Sequence, residues 1–292
     1  MNTLFYLRIP RLRAVMAAVL LCMVWPLMAQ KQLTILHTSD THSCIMPLSE
    51  QLADTLWAGR GGFVRRLSML QQERKADKDL LLFDSGDFSQ GSPYYTLFTL
   101  FKGEVEIGLM NRMHYDAATI GNHEFDFGIN NMVRIFKMAH FPILCSNYDF
   151  TGTPLDGVVK PYTIIKRKGL KIGVFALDPP LEGLVVAKNY LPIKYLNPVR
   201  VANDMVKLLK GREKCDLVIC ISHLGWLREG DGDPQVFAQT RGVDLVLGGH
   251  SHSFFTTLRY VKDLDGHEVP VDHNGKNAIF VGKMQLHFKP IR

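Results

Sequence analysis

Ala117-Ala118-Thr119-Ile120-Gly121-Asn122-His123-Glu124-Phe125-Asp126 is a short apolar run that stops at Gly-Asn-His-Glu. It reads as a strand ending in a tight loop that presents an amide and an imidazole side by side. The Asn carbonyl oxygen is a neutral, hard donor for a metal ion. His123 is placed to give a proton to a substrate oxygen, with Asp126 three residues on to orient the ring. Taken alone, the stretch is equally a turn carrying a surface His. Its neighbours decide between the two readings.

Four other apolar runs end the same way. Leu33-Thr34-Ile35-Leu36 leads to Asp40-Thr41-His42, and Leu80-Leu81-Leu82-Phe83 leads to Asp84-Ser85-Gly86-Asp87. Leu217-Val218-Ile219-Cys220-Ile221 leads to Ser222-His223, and Leu245-Val246-Leu247 leads to Gly248-Gly249-His250-Ser251-His252. In α/β sheets the carboxyl ends of the strands are where ligands sit. Five such ends carrying only oxygen and imidazole donors read as a metal cluster.

The chain has 292 residues. Arg8, Arg11 and Arg13 precede an apolar run from Ala14 to Leu27 that closes at Met28-Ala29. This is the pattern of a signal peptide over residues 1–29, and the run is short for a membrane span. Loss of 1–29 would delete three Arg and no acid, lowering the formal charge from +6 to +3. The expected product is a mildly basic exported protein, periplasmic or secreted, with no stable membrane span. No Lys/Arg-rich block argues for nucleic acid. Residues 30–292 are enough for one large α/β domain. Cys215 and Cys220 flank one predicted strand, so their Cα atoms should lie about 16 Å apart, too far for a disulfide. The cysteines read as small apolar residues, and no Cys-x-x-Cys supports a zinc ribbon.

Along the chain, helices are expected over 63–75, 104–113, 129–139 and 198–209. In the first of these Phe63, Val64, Leu67 and Leu70 form the apolar stripe, and the basic residues lie on a solvated face. Tyr162 to Arg167 and Leu170 to Leu177 read as a hairpin turning at Lys168-Gly169. Thr256 to Val261 and Ala278 to Val281 read as closing strands around a polar loop, 262–276. Phe254 and Phe255 are expected in the core. His37 reads as a core or edge residue, and His114, His140, His267, His273 and His287 read as surface. Asp84 is expected to support Asp87 rather than to bind. Alternating strands and helices argue for an α/β layered domain.

Asp-x-His, Gly-Asp-x-x-x-Gly-Ser, Gly-Asn-His-Glu-Phe-Asp, Ser-His-Leu-Gly and Gly-His-Ser-His occur here in that order. With them the chain resembles the catalytic domain of the 5′-nucleotidase family of calcineurin-like metallophosphoesterases, from about Leu33 to Val281. The resemblance implies a four-layer α-β-β-α sandwich with two divalent metal ions at the strand ends. One ion would be held by Asp40, His42, Asp87 and His252, and the other by Asp87, Asn122, His223 and His250. His123 and Asp126 would be the catalytic dyad. Some members carry Gln where His252 stands. Mn²⁺, Zn²⁺ and Fe²⁺ suit such donors about equally, and Mg²⁺ is a further candidate.

The implied reaction is hydrolysis of a phosphomonoester, with 5′-nucleotides as the first substrate class, by in-line attack of a metal-bridging hydroxide. Relatives of the domain also act on cyclic nucleotides, nucleotide sugars or a thiosulfonate carrier. A non-catalytic exported module that keeps its metals for structure is the remaining alternative. Full-length members carry a C-terminal domain that recognises the nucleoside. That domain does not follow in this sequence, so a separately encoded partner domain is one expectation and looser specificity the other. Asn147 resembles an Asn that the family places after the same strand.

Overall fold

The computed structural model describes residues 31–96 and 102–288. The leader expected over 1–29 lies outside the described residues. Residues 33–285 form one unit, and no helix among the described residues is long and apolar enough to cross a membrane.

The strands are β1 (Lys31–Thr38), β2 (Leu81–Asp84), β3 (Ala117–Thr119), β4 (Ile143–Leu144), β5 (Tyr148–Asp149), β6 (Tyr162–Arg167), β7 (Leu170–Leu177), β8 (Lys194–Tyr195), β9 (Leu217–Ser222), β10 (Leu245–Gly248), β11 (Arg259–Lys262), β12 (Glu268–His273) and β13 (Gly282–Phe288). The helices are α1 (Phe63–Ala76), α2 (Pro93–Thr96), α3 (Glu104–Met113), α4 (Gly128–Phe136), α5 (Pro198–Val206) and α6 (Asp233–Phe237). One sheet has the order β13-β1-β2-β3-β4 and the other β11-β12-β10-β9-β7-β6. Strands β1 to β4 run parallel. So do β12, β10, β9 and β7, with antiparallel hairpins at both edges of that sheet.

Alternation along the strands builds the layers, because successive side chains point to opposite faces. Leu36, Leu82 and Ala118 pack into one core with Phe63, Leu70, Ile107, Met110 and Ile135 from the helices. Phe175, Val218, Cys220 and Val246 form a second core with Val201, Leu209 and Phe237. The alternate residues are also fully buried, Ile35, Leu81 and Phe83 on one sheet and Val174, Ile219, Ile221 and Leu247 on the other. Each sheet thus has helices outside and the other sheet inside, the expected α-β-β-α sandwich. The sheets are tied by the Ser85 hydroxyl, which donates to the Leu247 carbonyl oxygen at 2.7 Å. The Thr119 hydroxyl donates to Asp178 at 2.9 Å, and His37 pairs with Asp272 at 2.9 Å.

Four expectations are corrected. First, β12 (Glu268–His273) runs through the middle of the polar loop expected over 262–276, and β13 begins after 281. Val269 and Val271 alternate into the core, but Asp272 and His273 disguise the strand because their polar atoms find buried partners in His37 and Asp233. His273 is consequently buried rather than at the surface. Second, Val64 is 54% exposed while Arg66 on the supposedly solvated side of α1 is 3% exposed. Third, the helix expected over 198–209 changes to a wider π turn at Lys207–Arg212, which keeps Leu209 buried. Fourth, Phe254 is 45% exposed, stacked on Phe280 with ring centroids 4.0 Å apart. The four cysteines among the described residues are free.

Leu82 sits centrally in the first core. Leu82→Ala should cost about 2–5 kcal/mol, read as a lower urea midpoint at unchanged slope.

Candidate metal centre

Five parallel strand ends from the two sheets deliver the predicted residues to one edge. Asp40 and His42 follow β1, Asp87 follows β2, Asn122 and His123 follow β3, His223 follows β9, and His250 and His252 follow β10. Candidate ligand atoms of Asp40, His42 and His252 lie within 4.8 Å of one another, as do those of Asp87, His223 and His250. The same holds for His42, Asp87 and His123. His42 Nε2 is 2.8 Å from His252 Nε2. The three groups share His42 and Asp87, so six of the seven predicted ligands converge with His123, and Asn122 directly precedes His123 in the chain.

Five of these candidate ligands are non-glycine residues in the left-handed region: Asp40 (φ 46°), His42 (47°), Asp87 (52°), His250 (69°) and His252 (52°). Such backbone is disfavoured for residues with a Cβ and clusters where geometry serves function. The loops are held there by backbone pairing. The amides of Asp40, His42 and Ser43 donate to the carbonyl oxygens of Gly86, Asp87 and Phe88, each at 2.9 Å. The His250 amide donates to Asp40 Oδ1 at 3.0 Å, and the His123 amide to Asp87 Oδ1 at 2.9 Å.

Glu124 organises the loop around Asp87, and the sequence reading passed over it. Its buried carboxylate accepts from the amides of Gly121 at 2.6 Å, Asp87 at 3.0 Å and Ser89 at 2.9 Å. The signal was present, since an acid three residues after Gly121 has the spacing of a helix-capping box. Burial, with the Asp87 charge adding, raises the Glu124 carboxyl to about 7.

The donor set fits divalent cations. Asp40 Oδ2, His42 Nδ1, Asn122 Oδ1 and His223 Nε2 are buried without a hydrogen-bond partner among the described residues. Buried polar atoms left unpaired in this way are costly, and their convergence calls for an ion. His223 Nδ1–H donates to the Ser85 carbonyl oxygen at 2.5 Å, which leaves Nε2, 3.1 Å from Asp87 Oδ2, as the free ring nitrogen. Burial raises the Asp40 carboxyl to about 8, with His223 opposing and Asp87 adding. Burial also raises Asp87, but the neighbouring His223 outweighs it and holds Asp87 well below the usual carboxylate range. Burial lowers His42 and His250 to about 4. Neutral His42 and His250 are in the donor state that a cation requires, whereas at His223 burial lowers the ring but the Asp87 charge outweighs it and raises it well above the usual value, so binding an ion at Nε2 would displace a proton.

His123 stands apart from this buried set. Its Nδ1 is 3.2 Å from Asp126 Oδ2, and both side chains are about one-third exposed, 33% and 34%. The Asp126 contact raises the imidazole against a lowering from burial. Asn147 is fully buried and spends its amide on the Asp178 backbone, at 2.7 and 2.8 Å. It therefore does not face the cluster. Asp84 accepts from the Thr38 hydroxyl at 2.6 Å and the Gly86 amide at 3.1 Å, and burial raises it to about 6. It supports the turn before Asp87, as expected.

A two-sheet sandwich with such a cluster at its strand ends defines a metal-dependent phosphoester hydrolase. Residues 33–254 match the calcineurin-like phosphoesterase family, and the chain belongs to that family. Human 5′-nucleotidase is 30% identical over 308 residues, covering 96% of this chain and 51% of the relative. A snake-venom 5′-nucleotidase from Naja atra is 31% identical over 236 residues, covering 77% of this chain and 42% of the relative. The chain thus spans about half the length of the curated relatives it matches. Among solved structures, a 5′-nucleotidase precursor from Thermus thermophilus superposes with a TM-score of 0.78 at 27% identity, covering 89% of this chain and 52% of that one. The calcineurin-like phosphoesterase YfkN from Bacillus subtilis gives 0.74 at 25% identity, covering 90% and 86%.

A Cβ on Gly121 would fall 2.5 Å from Asp87 N and 2.7 Å from Asp87 Cγ. Gly121→Ala should therefore displace Asp87 and weaken metal binding at least about tenfold, a loss of about 1.4 kcal/mol. Metal content after dialysis against a graded chelator series checks this, and an unchanged content would remove Asp87 from the candidate ligands.

Proposed function

We propose that the chain is the catalytic unit of an exported two-metal phosphoesterase that hydrolyses phosphomonoesters, 5′-nucleotides first among them. The observation that carries this reading is the convergence of unpaired buried donors from both sheets on Asp87. Asp40, His42, Asp87 and His252 would hold one ion, and Asp87, Asn122, His223 and His250 the other. Bound there, two divalent cations supply the charge neutralisation and water activation that displacement at phosphorus needs. The 5′-nucleotidase relatives support the substrate class, and the snake-venom members among them accord with export. Export would proceed through the leader over 1–29.

The residues themselves divide the work. Asp87 is fixed by the His123 and Glu124 contacts, so both groups of ligands keep their positions without reorganisation when charge develops. His123, partly exposed beside the buried ligands, faces the solvent side from which substrate enters. Asp126 holds the Nδ1 proton of His123, which leaves Nε2 to hold or deliver a proton at the transferring or leaving oxygen. Because Asp126 raises that imidazole, the ring keeps its proton to higher pH than a free His, and the step it serves fades as pH rises through the raised pKa. No hydroxyl or thiol nucleophile is required, in keeping with cysteines that are mostly buried.

His123→Asn should slow turnover about 10²-fold or more at unchanged metal content. Asp126→Asn should leave a slower enzyme whose alkaline limb moves to lower pH, so a limb that stays in place would exclude the dyad. Phosphate release by the metal-stripped protein, with Mn²⁺, Zn²⁺ or Mg²⁺ returned, tests the whole reading on AMP, UDP-glucose, a 2′,3′-cyclic nucleotide and an aryl phosphate. Metal-restored cleavage of AMP is the expected result. Silence on every substrate with two ions bound would overturn it.

A further inference from the structure

The burial of Arg66 is left unexplained by the metal centre alone. Its Nη1 donates to the Thr41 hydroxyl at 2.9 Å and reaches the Tyr115 hydroxyl at 3.3 Å. Its Nε and Nη2 have no hydrogen-bond partner among the described residues, although the side chain is almost wholly buried. The guanidinium carbon lies 5.3 Å from the Phe63 ring centroid, a contact that satisfies none of those N–H groups. A guanidinium offers five donors in a rigid fork, matched to phosphate and carboxylate oxygens.

Arg66 lines a cavity of about 480 Å³ between α1 and residues 278–283. Arg60, Arg65 and Lys283 line it too, and Glu73, its single acidic residue, is paired with Lys283 at 2.7 Å. Arg65 donates to the Gly59 carbonyl oxygen, and Arg60 lies over the Trp57 ring at 6.0 Å, so neither spends its charge on a carboxylate. Apolar side chains line it as well, Met69 from α1 and Ile279 and Phe280 from the facing segment. Four cations against one acid, with apolar side chains interspersed among them, describe a pocket for an anion that carries an apolar body.

We propose that this cavity is a second ligand site, separate from the metal centre, which takes a small organic oxyanion with an aromatic or aliphatic flank. The headgroup lies toward the arginines and the flank against Met69, Ile279 and Phe280. The site sits directly behind the metal loop, because Arg66 holds Thr41 between Asp40 and His42. The inference is independent of the reaction proposed above.

The test is calorimetric titration of the Mn²⁺-loaded full chain with phenylphosphonate, which is not hydrolysed. Two saturable sites per chain are expected, of which EDTA removes one. Arg60→Glu combined with Arg65→Glu, both at exposed positions outside the metal centre, should weaken the EDTA-resistant site about tenfold or more. The double variant should keep its metal content and its turnover. The charge-matched control Arg112→Glu with Lys137→Glu should keep both sites. Inorganic phosphate should bind the EDTA-resistant site more weakly than phenylphosphonate does. A single EDTA-sensitive site would overturn the proposal. So would an EDTA-resistant site indifferent to the arginine charges, or one that prefers inorganic phosphate.

Discussion

The Asp87 carboxylate is the constraint on which the rest of the centre depends. It has to be reached from both sheets at once, by His223 from one and by the β3 loop from the other. It is 2% exposed, so every group around it must be placed by the protein and not by water. Glycine does this at two points. Gly86, at φ 84°, leaves room where a Cβ would come within 2.7 Å of the Gly121 amide, and Gly121 leaves room for Asp87 itself. A carboxylate that close to backbone needs donors, and the His123 amide supplies one. Glu124 then gathers three amides of the surrounding turns, which pins the loops whether or not an ion is bound.

The left-handed backbone at five candidate ligands extends the same logic. A ligand needs a side chain, so glycine cannot relieve the conformation where it is required. Each such residue costs about 1–2 kcal/mol, and five of them approach the whole stability of a typical domain, about 5–15 kcal/mol. The cost is offset in part by the backbone bonds between the Asp40–Ser43 and Gly86–Phe88 turns, and by the inter-sheet bonds that fix where each strand ends. The fully buried core on both faces of each sheet supplies a frame rigid enough to impose that geometry.

Much of this was legible in the sequence, for a physical reason. Parallel strands buried on both faces read as continuous apolar runs, and ligands attached to their ends read as a repeated pattern. The hairpin at Lys168-Gly169 was equally plain. What escaped were polar residues that fold inward in pairs. Asp272 and His273 made β12 look like a loop, because their partners, His37 and Asp233, lie 235 and 40 residues away. Arg66 looked like a surface residue for the same reason, since its contacts with Thr41 and Tyr115 are set by tertiary packing. Phe254 failed in the opposite direction: an apolar residue need not be inside, and here it stacks at the surface on Phe280.

Those inward pairs also explain how one sandwich tolerates so much buried charge. Burial raises the Asp84 carboxyl and the Arg66 charge opposes it, whereas burial lowers the His37 imidazole and the Arg66 charge adds to that. His273 shares Asp233 with the Ser222 hydroxyl, at 2.7 and 2.5 Å, directly before His223 in the chain. The polar layer between the sheets is therefore a connected set that begins at the ligand loops and ends at β12. Removing one member leaves a buried partner unpaired, which costs more than the bond itself was worth. The ligands' precision and the sandwich's integrity consequently rest on the same hydrogen bonds. A substitution in β12, in contact with none of the ligands, then bears on the centre through His37 and Ser85, which are linked at 2.9 Å, and from Ser85 to the ring of His223.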